Sequence, residues 1–265
     1  MSDIEKFETS EAQGAKPGVF DEVEPEVRVR TKKMLMYFII FAIVMLFGGF
    51  TSAIIILGSE YWVHIVAPQF FYASVGLVVV SSITMFLSLR SMKQGKKGPA
   101  MGLLALTFLL GLVFSWSQWV GWQELESKGM GFTVSQTELG EKTQWNSVED
   151  ITGEYDKDWW VMKGSQRVIK DGDDFYLPSD TNREDPVTGD IRSLVNNPAA
   201  LVAGLVTIHV LHLLLGLIYM IVNMIRINKG RIHQGDTVQL QVNGIYWHFM
   251  GLLWIYLFLF LFFIH

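Results

Sequence analysis

The stretch "MLMYFIIFAIVMLFGGFTSAIIIL", Met34 to Leu57, decides the fold. It contains no Lys, Arg, Asp or Glu, and it exceeds the roughly 20 apolar residues that an α-helix needs to cross a bilayer. Four further stretches share both properties, from about Gln69 to Leu89, Pro99 to Trp122, Ala199 to Ile225 and Gly244 to Ile264. Half of the residues are hydrophobic, with 18 Phe and nine Trp, a balance that soluble domains rarely reach. The expected fold class is therefore an all-α integral membrane protein, a bundle of five transmembrane helices. Small residues such as Gly48, Gly49, Ser52 and Ala53, then Gly76, Ser81 and Ser82, supply faces for close helix packing.

The chain divides into a polar leader over 1–33, three spans over 34–122, an insert over 123–198 and two spans over 199–265. The first span follows an acidic, Pro-containing leader, so it does not read as a cleaved signal peptide, and the leader is expected to be poorly ordered or loosely draped on a partner. With no cysteine, the chain has no disulfide, thiolate metal site or thiol nucleophile.

Lys and Arg in short flanks set the orientation. Arg28, Arg30, Lys32 and Lys33 precede the first span, "RSMKQGKKG" follows the second, and "RINKGRIHQGD" follows the fourth. The connection "GSEYWVHIVAP" has no Lys or Arg. All three basic clusters fall on one side. The expected arrangement is a multi-pass protein of a bacterial inner membrane, with a cytoplasmic N-terminus and with the insert and C-terminus in the periplasm.

The insert is too long for a plain connection. It carries sixteen acidic and eight basic residues, a net charge of -8. "WWVMKG", "QRVIKDG" and "DDFYLP" read as short strands, with "KDGDD" as a hairpin turn and "SDTNREDPVTGD" as loop, giving a small β-rich unit. Its acid excess is read either as a docking face for a basic partner such as a c-type cytochrome or another respiratory complex, or as an ordinary solvated surface.

Inside the spans the strongly ionisable side chains are histidines, which are functional candidates by default. His209 and His212 are spaced i, i+3 and share a helix face; His248 lies close to the start of the last apolar stretch. Two readings stay open. In one they are interhelical hydrogen-bonding groups; in the other His209 or His212 is an axial ligand of a haem-binding membrane anchor. No span holds a carboxylate, so a proton relay within this chain alone is not expected.

The motifs resemble subunit III of the haem-copper respiratory terminal oxidases (cytochrome c or quinol oxidases) in the five-helix bacterial form. "YWHFMGLLWIYLFLF" is similar to that family's last helix through Tyr246, Trp247, His248, Phe249, Trp254 and Phe258. The helix before it matches through His209, Leu211, His212 and Gly216, the first span through Val44, Met45, Phe47, Gly49 and Phe50, and the end of the third through Gln118, Trp122, Leu125, Gly129 and Phe132. Leader and most of the insert are not covered. Where the family carries charged groups, this chain departs. Its membrane carboxylate of the first span aligns with Ile43 and its later aspartate with Gly251. The Glu and two His of a third motif align with Gly121, Gln123 and Glu124.

The resemblance implies a non-catalytic accessory subunit with no cofactor of its own. Haem and copper would sit on partner subunits, and phospholipids in clefts of the bundle. Oxidase subunits I and II are the implied partners, and nucleic acid is not one. His209, His212, His248, Trp247 and Trp254 are the expected interhelical residues, and Arg226, Arg231 and Trp247 the candidate lipid contacts, the arginines also being explained by topology alone.

Overall fold

The computed structural model describes residues 25–58, 60–130, 148, 151–192 and 199–264. Five helices are long and apolar enough to cross a membrane. They are α1 (Pro25–Leu57), α2 (Gln69–Lys93), α3 (Lys97–Ser127), α5 (Ala199–Asn228) and α6 (Val238–Leu259), the last continuing as a π-helical turn over Phe260–Ile264. A five-residue helix, α4 (Thr188–Arg192), precedes α5.

The helices outrun their apolar stretches. Residues 25–33, expected as leader, form the first turns of α1. Pro25 suits a first helical position, Glu26 complements the helix dipole, and Arg28 Nη2 bonds Asp236 Oδ2 at 3.0 Å. α6 begins at Val238, six residues before Gly244, because the Asp236 carboxylate accepts the Val238 N–H at 3.3 Å and Gln241 bonds back to Thr237 at 2.9 Å.

α2 carries a heptad. Phe71, Val78, Met85 and Met92 alternate with Ser74, Ser81 and Ser88 along its buried face. The small serines admit α3 closely. Ser88 donates to the Ala100 carbonyl at 2.7 Å, Thr84 and Thr107 share a 2.8 Å bond, and Ser117 donates to the Phe70 carbonyl at 2.9 Å, so the α2–α3 pair is stitched from end to end. α6 is the centre of the bundle, with 50% of its most apolar window buried, against 22% for α1. α1 leans on α5 and α6 through Phe47, Ile54, Val202, Leu205, Met250 and Leu253.

The three basic clusters do meet at one end. Besides the Arg28–Asp236 pair, Lys97 Nζ donates to the Asn228 carbonyl at 3.0 Å.

At the other end sits a small sheet. β2 (Trp159–Lys163) pairs antiparallel with β3 (Gln166–Arg167), while β4 (Ile169–Asp171) and β5 (Asp174–Tyr176) form a hairpin across Gly172 and Asp173, with Gly172 at φ 64° where a side chain would be strained. These strands agree with the sequence reading, whereas part of "SDTNREDPVTGD" is helical as α4. The connection "GSEYWVHIVAP" is not a bare link either. Its Tyr61–Ile65 is a strand, β1, paired antiparallel with β2 from Tyr61↔Lys163 to Ile65↔Trp159. Trp159, Val161, Val168 and Phe175 fill the space beneath, and Tyr155 Oη donates to the Val168 carbonyl at 2.8 Å.

Among the insert's described bases, Lys128, Lys157, Lys163, Arg167 and Arg183 each pair with a carboxylate. Lys128, just past the end of α3, bonds Asp158 Oδ1 at 2.9 Å. That hydrogen bond raises the Lys128 pKa and holds the Asp158 carboxyl below its ordinary range. The lowered Asp158 value makes its contribution fully present above the ordinary carboxyl pKa and lost as pH falls through the lowered folded value; the raised Lys128 value confines the pair's contribution to pH below the lysine range. Asp158→Asn is expected to weaken the β-rich insert by about 0.5–1 kcal/mol at neutral pH, with the difference shrinking as pH falls below the ordinary carboxyl range. Hydrogen exchange of the Val161 and Val168 amides measures it.

Candidate functional site

The candidate site is the joint where α6 meets α2 and α5. Trp247 and Trp254 are seven residues apart on α6 and face Ser81 and Ser74, seven apart on the antiparallel α2. Each indole Nε1 donates to its serine Oγ at 3.2 Å. The serines satisfy their own protons locally, Ser81 on the Val78 carbonyl at 2.9 Å and Ser74 on the Phe71 carbonyl at 2.6 Å. Two equal rungs therefore fix the register of α6 on α2. The sequence reading placed Ser81 on a close-packing face but gave it no indole partner and left Ser74 unassigned, although their spacing of seven, in step with the two tryptophans, was the available signal. Both indoles are buried, Trp247 against Gly111 and Gly216, Trp254 among Phe71, Phe114 and His209. Trp247, named as a lipid contact as well, is enclosed by this chain's own helices.

The three histidines occupy three different settings. His209 is 2% exposed, its ring between Phe47 and Trp254, and its Nδ1 has no hydrogen-bond partner among the described residues. His212 Nδ1 lies 2.7 Å from the Ile208 carbonyl, a bond within α5. The interhelical tie at this level runs instead through the His212 backbone carbonyl, which accepts Tyr246 Oη at 2.8 Å. About two turns of helix further, Tyr219 Oη donates to Gln239 Oε1 at 3.0 Å, a second α5–α6 bond that the sequence reading missed.

His248 faces away from the bundle. It belongs to an exposed stripe on α6 with Leu252, Tyr256, Leu259 and Phe263. The early start of α6 puts it ten residues, or about 15 Å, inside the helix, not at its mouth. It bridges no helices among the described residues. Tyr256 of that stripe reaches another helix, with Oη 3.1 Å from Thr51 Oγ1 on α1.

Arg226 lies in the last turn of α5 and Arg231 follows the helix, joined by a 2.9 Å backbone bond from the Arg231 N–H to the Arg226 carbonyl. Neither guanidinium has an ion-pair partner among the described residues.

The positions where the resemblance places carboxylates are packed shut. A Cβ on Gly251 would stand 2.7 Å from Val78 Cγ1, and one on Gly121 would stand 3.0–3.2 Å from three atoms of the Phe71 ring. Phe71 and Val78 are consecutive heptad positions of α2. Ile43 is 4% exposed in the α1–α5–α6 core. The cavity beside His209 measures about 20 Å³, far too small for a porphyrin, so His209 as placed does not fit a haem. A comparison with known protein families and with curated proteins found no match for the chain.

Proposed function

We propose that this chain is a non-catalytic membrane subunit that braces a respiratory terminal oxidase, in the manner of the subunit III proteins its motifs resemble. The observation that carries the proposal is His248. An imidazole near the middle of a span normally faces a bundle interior or a partner. Here it points outward between apolar side chains, beside an α1 whose Tyr37, Phe38, Phe41 and Met45 are also exposed. Such a surface suits burial against further helices carrying a hydrogen-bonding group. The reading places the N-terminus in the cytoplasm and the insert in the periplasm of a bacterial inner membrane, supported by the convergence of the basic clusters at the end opposite the sheet. At that end Arg226 and Arg231 would meet lipid phosphates. Haem and copper would belong to the partners.

Purification of the tagged chain from its native membranes in mild detergent tests the reading. A haem-copper subunit is expected to co-purify stoichiometrically, with its optical spectrum, and His248→Ala is expected to lower that recovery at least several-fold. A chain that purifies alone, or a His248→Ala variant that retains full recovery, counts against the proposal.

A further inference from the structure

The end of the bundle opposite the sheet gathers positive charge that its own described residues do not offset. The three basic clusters, 28–33, 90–97 and 226–231, hold eleven bases against two carboxylates, Glu26 and Asp236, a net charge of +9. They share one surface. Arg28 pairs with Asp236, Lys97 Nζ donates to the Asn228 carbonyl, and a Cβ on Gly95 would stand 3.0 Å from Gln234 Oε1. Arg28 alone of the eleven has an ion pair among the described residues. The insert at the other end differs, since five of its bases each meet a carboxylate.

The counter-charge lies next in sequence. Residues 1–24, outside the described residues, carry seven acidic and two basic residues, a net charge of -5. They join the bundle at Pro25, where α1 starts, and Arg28 one turn on is already part of the basic end. A segment of that length spans at most about 80 Å. Five helices packed about 8–10 Å apart are narrower than that, so the whole basic end is within reach.

We propose that the acidic leader, residues 1–24, docks on the basic end of its own chain and offsets more than half of its charge. The positive-inside pattern explains the bases but asks for no acid beside them, since Asp and Glu contribute little to topology. An exposed ion pair is weak alone and screened by salt. Here several weak pairs act together, because the tether holds the leader at a high effective concentration beside its site. Lys93, Lys96 and Lys229 are the main contacts, being exposed and at or just beyond helix ends. The positive remainder is left for lipid phosphates, as at Arg226 and Arg231. The docking needs no oxidase partner, because both charges belong to this chain.

The chain has no cysteine, so Ser10→Cys in the leader and Gln94→Cys in the exposed α2–α3 turn give two unique spin-label sites. The labelled full chain, diluted with unlabelled chain in phosphatidylcholine vesicles, is read by double electron–electron resonance. A short, narrow distance population is expected at low salt. It is expected to fall several-fold at about 1 M salt, where the Debye length is about 3 Å. Glu5→Gln, Glu8→Gln and Glu11→Gln together, or Lys93→Gln, Lys96→Gln and Lys229→Gln together, are expected to lower it several-fold at low salt. A distribution that neither salt nor the leader substitutions change overturns the proposal. One that the leader substitutions change and the lysine substitutions do not puts the leader elsewhere and overturns the site. Loss of the short population in vesicles containing phosphatidylglycerol means that lipid occupies these bases, which overturns the proposal too. Should the lysine variant not fold, the second label is moved to Lys157 at the opposite end, where no short population is expected and a short one overturns the site.

Discussion

Gly251→Asp, which restores the carboxylate of the resembled family, is expected to destabilise the bundle by at least about 3 kcal/mol. Two effects add. The new Cβ would stand 2.7 Å from Val78 Cγ1, and Val78 is β-branched and stiff on its helix, so α2 and α6 must separate; overpacking of this kind costs about 1–3 kcal/mol. The carboxylate also enters a helix centre, where an aspartate costs about 2.5–3.5 kcal/mol in a bilayer. Gly251→Ala isolates the first effect. Val78→Ala should rescue Gly251→Ala and leave most of the Gly251→Asp defect in place. Unfolding midpoints in mixed micelles, read on the four variants, separate the contributions. A Gly251→Asp protein as stable as the parent shows that the contact with Val78 is not as tight as 2.7 Å implies.

Trp254→Ala carries the other large effect, near the low end of the about 3–5 kcal/mol seen for aromatic deletions in cores. The low end applies because lipid is as apolar as the bundle interior, leaving lost packing as the main term. Trp254 is 2% exposed and meets the rings of Phe71, Phe114 and His209 with centroids 6.0, 5.5 and 5.6 Å away. Trp254→Phe keeps most of that packing and loses the rung to Ser74, an expected change of about 0.6–1.7 kcal/mol. A double-mutant cycle with Ser74→Ala isolates the hydrogen bond. The pair Trp247 and Ser81 should give a similar coupling energy, since both rungs are 3.2 Å long.

The five spans were legible because each is a long apolar run without charge, a signal that packing cannot disguise. Their ends were not. The first turns of α1 and α6 are polar, and they are held by the Asp236 carboxylate, which accepts the Val238 N–H and pairs with Arg28, a contact between residues 208 apart that hydropathy does not register. β1 was missed for a related reason: five residues in a short connection become a strand only when β2, about a hundred residues on, pairs with them. The hairpin at Gly172 was legible because its turn chemistry is local. Among the site residues, chemistry identified the histidines and tryptophans, but direction decided their roles. His248 and Trp247 are neighbours in sequence, and one helical step turns the first outward and the second into the core.

The β1–β2 pairing also dictates an order of events. Tyr61 and its partner Lys163 are separated by two complete apolar helices. At a synthesis rate of about 5–20 residues per second, β1 waits roughly 5–20 s for its mate. During that interval Tyr61, Trp62 and Ile65 lie on an open strand between two finished helices, offering unpaired amides to any chain that passes. The sheet is thus a late clasp. A variant that slows its closing, such as a proline at Val161, is expected to show its defect first in the yield of newly made protein, as clumping or degradation of young chains.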